Sequence, residues 1–270
     1  MQIYVINLAE KTGRWSRMAG LLQGLPFQRI AAVDGKTIDG PEMNIRTYPN
    51  IRTIPKQLSR YHRACYLSHQ AAYEKFLAGP DPYLCVLEDD VFLSPDFPKF
   101  INNETWIPPD CDLIKIETTQ AFIWTASRRI ACLDRQAAQL RSIHLGTAGY
   151  IISRRGAERL LEMVPEPNCP IDRLIFGKIG REKLHPIYQL MPALCIQGCH
   201  RGDGVSFPDM ESSIDRQAPP TIRPMVAPPR KPLLAKVRRE LIRPFHQLRT
   251  ARRNAWLHSN GLRRQGIPFA

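Results

Sequence analysis

Tyr83–Leu87 (YLCVL) is an unbroken apolar run that leads straight into three acids, Glu88, Asp89 and Asp90. A short continuous apolar run suits a parallel strand covered on both faces; a strand with one wet face would alternate. Such a strand needs helices above and below it, and the rest of the chain offers them. Ile3–Leu8 (IYVINL) is a β-branched run, and Arg14–Leu25 carries Trp15, Met18, Leu21 and Leu22 at helical spacing before Gly24 and Pro26 stop it. Phe27–Val33 reads as a second strand that ends at the turn signal Asp34-Gly35. Leu58–Leu77 predicts a long helix, and Gly79-Pro80-Asp81-Pro82 closes it. Leu113–Ile116, Gly149–Ile152, Ile187–Leu190 and Ala193–Ile196 read as strands, and Gly156–Met163 as a helix. Residues 36–57 are polar and irregular, residues 118–145 read as an insertion, and no internal repeat is visible. The alternation predicts an α/β layered fold with a mixed, mostly parallel sheet flanked by helices.

A chain of 270 residues, 43% hydrophobic, is long enough for one sizeable core. No run approaches ~18 apolar residues, the length of a membrane-spanning helix. The start, MQIYVINL, lacks a basic n-region, a long apolar stretch and a small-residue cleavage site, which argues against a cleaved export signal. The seven cysteines are odd in number and irregular in spacing, which fits a reducing compartment better than a disulfide framework. Cys195, Cys199 and His200 lack the second CxxC pair of a zinc site and read as packed or incidental.

Charge is unevenly spread. Residues 216–270 hold 13 of the 38 basic side chains and one of the 25 acidic ones, Glu240, so the first 215 residues are close to neutral. A neutral body offers no specific nucleic-acid surface. Between Pro208 and Pro232 stand seven prolines, a stiff linker composition. Beyond it, Leu233, Leu234, Val237, Leu241, Phe245 and Leu248 recur at helical spacing among arginines, and Pro244 predicts a split into two short helices. The expected organisation is a catalytic body over 1–207, a linker over 208–232 and a basic amphipathic segment over 233–270. The basic segment suits an anionic membrane surface.

The acids are the chemical centre. If extended geometry continues past Leu87, Glu88 and Asp90 point to one side and Asp89 to the other. Two carboxylates aimed one way repel unless a cation or donor lies between them. Oxygen ligands of this kind suit manganese or magnesium, and such an ion can neutralise a departing diphosphate. The competing reading is a solvated acidic turn.

Several segments, in order, resemble glycosyltransferase family 25, the lipopolysaccharide or lipooligosaccharide transferases related to collagen galactosyltransferases. They are INLAEKTGRWSRM, RIAAVDG, CYLSHQAAY, VLEDDV, DLIKIE, TAGYIISRRGAERLL and Pro170-Ile171-Asp172, together spanning roughly residues 2–200. Two departures stand out: Ala64 replaces the usual glycine before the motif cysteine, and the basic tail has no counterpart. The resemblance implies a GT-A-type (Rossmann-like) fold, a UDP-sugar donor with UDP-galactose foremost, and an inverting transfer that makes a β-linkage to a hydroxyl of a cell-surface glycan.

An inverting transfer needs a general base, an aligned anomeric carbon and stabilisation of the leaving diphosphate. Asp90 and Glu88 are the expected metal ligands, with Glu88 also a contact to ribose, and His200 a third ligand or an exposed loop histidine. Asp89 ranks lower, although the family motif includes it. Asp172 is the first choice for base, although a residue there also suits a helix cap; Glu117, at a strand end, is the second. Asn7, Arg14 and Asp34 follow the first two strands, where a nucleotide would dock, and Arg14 suits a phosphate. Ser68 and His69 lie within the long helix, His69 as a core residue or a ligand contact. Thr147 and Tyr150 would line the sugar pocket, or in the case of Tyr150 belong to the core. Two other functions compete: a non-catalytic nucleotide-sugar-binding protein, and a basic membrane-surface adaptor. The tail and the acceptor class point to a cytoplasmic protein, peripheral on the inner face of the membrane.

Overall fold

Strand β1 (Gln2–Asn7) is the spine of one half of the protein, paired in parallel with β2 (Phe27–Ala31) on one side and β5 (Tyr83–Glu88) on the other. Helix α1 (Thr12–Leu21) makes the first crossover. After β3 (Met43–Asn44) and β4 (Gln57–Leu58), helix α2 (Arg60–Leu77) makes the second; its N-cap Ser59 accepts from the His62 amide. The computed structural model describes residues 1–39, 43–44, 57–163, 169–184, 186–201 and 233–270. The proline-rich stretch 208–232 lies outside the described residues.

Beyond β5 come β6 (Val91–Leu93), α3 (Phe97–Ile101), β7 (Leu113–Lys115) and β8 (Glu117–Thr118). The segment expected as an insertion forms β9 (Phe122–Ala126), β10 (Ile130–Cys132) and β11 (Arg135–Gln139). Then follow β12 (Gly149–Ser153), α4 (Arg154–Met163), α5 (Ile171–Phe176), α6 (Lys178–Lys183), β13 (Ile187–Met191) and β14 (Cys195–Gln197). Helix α7 (Leu233–Ser259) and β15 (Leu262–Gly266) complete the described chain.

The main sheet has eight strands in the order β10-β11-β13-β7-β12-β5-β1-β2. Alternation along each strand feeds two cores: Tyr4, Ile6, Leu84, Val86, Tyr150 and Ile152 face α2, α4 and α5, while Ile3, Val5, Cys85, Leu87 and Ile151 face the side of α1 and α3. That two-sided burial is why YLCVL carries no polar residue. The α/β layering stands as expected, but the pairing is less parallel than the alternation suggested. Strand β12 runs antiparallel to both β5 and β7, as do β10 and β13 to β11. Gly149 lets Cys195, the first residue of β14, pack against β12, since a Cβ there would meet the Cys195 sulfur at 2.1 Å.

A second sheet, β6-β14-β8, forms where the chain leaves the tips of β5 and β7. A third pairs β9 with β15. The sequence reading set 233–270 apart as one segment, whereas residues 262–270 pack on the body: Thr118 Oγ1 donates to the Ile267 carbonyl at 2.7 Å, Arg135 Nη2 donates to the Ala270 carbonyl, and Ile267 is buried in the core. Helix α7 is one helix through Pro244, not two. Proline removes one N–H and crowds the carbonyl a turn back, which bends a helix without having to end it. Among the described residues no helix is long and apolar enough to cross a membrane.

Candidate active site

The tips of β5 and β14 and the inner face of α2 converge at one point. Side-chain alternation past Leu87 works as expected. Asp89 turns inward, accepting from Asn7 Nδ2 at 2.6 Å and from Arg14 Nη1 at 2.8 Å. Glu88 and Asp90 turn the other way and share one donor, Gln197 Nε2, at 3.3 Å from Glu88 and 3.2 Å from Asp90. Sequence gave no sign of Gln197, because a glutamine at a strand end looks like any solvated residue.

Helix α2 brings Cys65 and His69, one turn apart, against Glu88. His69 is fully buried; its Nδ1 faces the Tyr150 hydroxyl at 2.8 Å, and its Nε2 lies 3.6 Å from Glu88 Oε1 without a hydrogen-bond partner. Thr147 Oγ1 donates to Glu88 Oε1 at 2.8 Å. Tyr150 is therefore a buried prop for His69 rather than a pocket wall, and Thr147 acts through Glu88.

The pair of carboxylates is electrostatically split. Burial, then Glu88 and Asp89, push the Asp90 carboxyl up to about 8, against Arg14 and Gln197. Burial also acts to raise Glu88, but His69, Thr147 and Lys115 together hold it below its ordinary value. The two environments thus push the carboxyls apart, Glu88 toward the charged form and Asp90 toward the protonated one. The residues fit a hard divalent ion: two carboxylates on one donor, and a buried imidazole nitrogen 3.6 Å from one of them, Glu88. Cys65, held well up as a thiol by burial and then by Glu88, Asp172 and Asp90, suits it less.

The two base candidates separate cleanly. Glu117 is fully buried, paired with Lys115 Nζ at 2.8 Å and accepting the Ala148 amide at 3.1 Å. Its other oxygen is covered by Gly146, where a Cβ would come within 2.5 Å. It has no route to an acceptor hydroxyl. Asp172, at the start of α5, is half-buried, with Oδ1 on the Arg173 amide at 2.7 Å and Oδ2 3.4 Å from the Gly146 amide.

The remaining expectations scatter. Arg14 is buried against Asp89 rather than presented to a phosphate, and Asn7 shares that contact. Asp34 caps the 3-10 turn Gly35–Thr37 by accepting the Lys36 amide at 2.9 Å. Ser68 bridges the Ala64 carbonyl and the Val33 amide. His200 is exposed on the turn Gly198–His200, and among the described residues the metal-capable group is Cys65, His69 and Glu88, without it. Cys195 is core, and none of the seven cysteines forms a disulfide.

The family model "Glycosyltransferase family 25 (LPS biosynthesis protein)" matches residues 1–175. The lacto-N-neotetraose biosynthesis glycosyltransferase LgtB of Neisseria gonorrhoeae is 31% identical over 227 residues, 79% of each chain. LgtE of Neisseria meningitidis serogroup B is 32% identical over 214 residues, 74% of this chain and 75% of its own. The lipooligosaccharide biosynthesis protein lex-1 of Haemophilus influenzae is 33% identical over 153 residues, 52% of this chain and 50% of its own. The matched region contains both the acids of β5 and the α2 face that meets them, so the chain belongs to glycosyltransferase family 25 and is a glycosyltransferase.

Proposed function

We propose that the protein transfers a hexose, galactose foremost, from a UDP-sugar to a hydroxyl of a lipopolysaccharide-type glycan, with inversion. The observation that carries this reading is the shared orientation of Glu88 and Asp90 on the Gln197 side chain, with the His69 nitrogen facing Glu88 and Asp172 near the same edge. Glu88 and Asp90, with His69, would hold manganese or magnesium, which supplies positive charge against the diphosphate as it leaves. Asp172 takes the proton of the attacking hydroxyl at Oδ2, which carries only the long 3.4 Å contact from the Gly146 amide, while Oδ1 accepts the Arg173 amide. His69 fixes Glu88, and Tyr150 fixes His69. The names of the relatives, in lacto-N-neotetraose and lipooligosaccharide biosynthesis, support the acceptor class.

The direct test is a donor scan by thermal shift, with and without manganese. UDP-galactose is expected to raise the melting temperature at concentrations above its Kd, in a manganese-dependent way, because a ligand bound only by the native state stabilises it. Equal melting with every UDP-sugar, metal or not, sinks the donor assignment.

The basic helix is assigned to an anionic membrane surface at the inner face of the cytoplasmic membrane. Leu248 and Trp256 on α7 are 52% and 62% exposed and Phe122 on β9 is 68% exposed, among Arg249, Arg252, Arg253 and Arg264. Apolar and aromatic side chains amid arginines favour a lipid interface, each cation adding about 1 kcal/mol near anionic headgroups. Truncation before the helix would also remove residues 262–270 and so damage the body. Charge reversal is cleaner: Arg249→Glu with Arg252→Glu and Arg253→Glu is expected to abolish flotation with phosphatidylserine vesicles while the melting temperature holds. Equal flotation removes the membrane role.

A further inference from the structure

The acidic edge of the site borders a basic one. Arg17, on α1, donates Nη2 to the Val91 carbonyl at 2.7 Å and lays its guanidinium carbon 4.5 Å from the centroid of the Phe92 ring. Arg201, just past the turn Gly198–His200, comes from the other end of the chain and sits 4.2 Å from the same centroid. The two guanidinium carbons therefore lie within about 9 Å of each other. Register ties them to the acids: Gln197 pairs with Val91 and Ile196 with Phe92, and the Gly198 amide donates to the Asp90 carbonyl at 3.0 Å.

Gathering guanidinium groups in one place is unfavourable. Arg14, a third, lies close enough to affect Arg17 but is engaged by Asp89. Burial first, and then Arg201 and Arg14, lower the proton affinity of Arg17, opposed by Asp90 and Asp89. Among the described residues no carboxylate lies within ion-pair distance of Arg17. Stacking on Phe92 offsets part of the repulsion and holds both planar groups in fixed directions. Fixed forks of N–H donors beside a divalent-ion site suit an anion with several oxygens.

We propose that Arg17 and Arg201, arrayed on Phe92, bind the diphosphate of the donor and of the nucleoside diphosphate left after transfer. The inference rests on the nucleotide-sugar reading above and adds the residues that meet the phosphates, a task the sequence had assigned to Arg14.

The test is titration calorimetry with UDP and with uridine, in manganese buffer, on the full chain. Arg17→Gln and Arg201→Gln are each expected to weaken UDP binding at least tenfold and to leave uridine binding unchanged. Arg201→Lys, which keeps the charge but loses the planar fork, is expected to fall between. Phe92→Leu should weaken UDP binding by a smaller factor, by releasing both guanidinium groups. If Arg17→Gln disturbs folding by losing the Val91 contact, Arg201→Gln alone decides. UDP binding by the Arg201 variant equal to that of the native protein overturns the inference and leaves the donor reading standing. A native protein that binds no nucleoside diphosphate overturns both.

Discussion

Asp90→Asn is expected to abolish transfer, by about a thousandfold or more, and at the same time to make the protein harder to unfold. The activity loss follows from the role proposed for Asp90, which would hold a cation where diphosphate charge develops. The stability gain follows from linkage. Folding raises the Asp90 carboxyl to about 8, so between roughly pH 4 and pH 8 the folded protein holds a proton that the unfolded chain releases. Stability therefore falls as pH rises through that window, with a limiting slope of about 1.4 kcal/mol per pH unit, and is level above it. Asparagine carries no such penalty, and Gln197 can still hydrogen-bond to it. The variant's advantage, on the order of a few kcal/mol after allowance for Glu88 and Arg14, should be absent at pH 4 and largest above pH 8. Melting curves across pH without divalent ions check this. Manganese should narrow the gap by stabilising the native protein alone. A variant that melts below the native protein at pH 8 rejects the account.

Lys115→Met is expected to cost 3–5 kcal/mol, roughly, because it leaves Glu117 buried without its cation. Lys115 also donates to the Gly146 carbonyl and packs its ammonium 4.1 Å from the Phe176 ring centroid, so the 144–148 loop and α5 lose an anchor together. Burial already raises the Glu117 carboxyl against the pull of Lys115. Without that pull the Glu117 carboxyl moves further in the same direction, and by the same sign rule the damage is smaller at pH 5 than at pH 8. The double variant Lys115→Met with Glu117→Gln removes both charges and should recover most of the loss. Its activity divides the two base candidates. Retained transfer, the expected result, leaves the role with Asp172; a refolded but inactive double variant returns it to Glu117.

What could be read in advance was local. The β5 run and the acids after it were legible because burial on both faces leaves a purely apolar string, and charges begin where the strand emerges. His69 and Asp172 were visible as chemistry-bearing residues, although only the fold shows which oxygen or nitrogen each presents. Gln197 and Lys115 were hidden, since one polar residue in a strand reads as a solvent-facing position even when, like Lys115, it is fully buried or, like Gln197, it is turned onto two carboxylates. Strands β10 and β11 were hidden for a related reason: RQAAQ lies near a sheet edge and carries little apolar signal. LRRQG in β15 was hidden because its partner β9 lies some 140 residues earlier, and nothing local encodes such a pairing. Arg14 was read toward a phosphate because a basic residue after the first strand suits one, and only the fold shows Asp89 facing it.

The contacts made by residues 262–270 impose an order of assembly. Ile267 fills the core and the Ala270 carbonyl meets Arg135 only after α7 has been synthesised, so the sheet corner closes late and never without that helix attached. A protease cutting between residues 201 and 233 would leave a nicked enzyme whose two fragments stay clasped through β9 and β15, rather than a body shorn of its arginines.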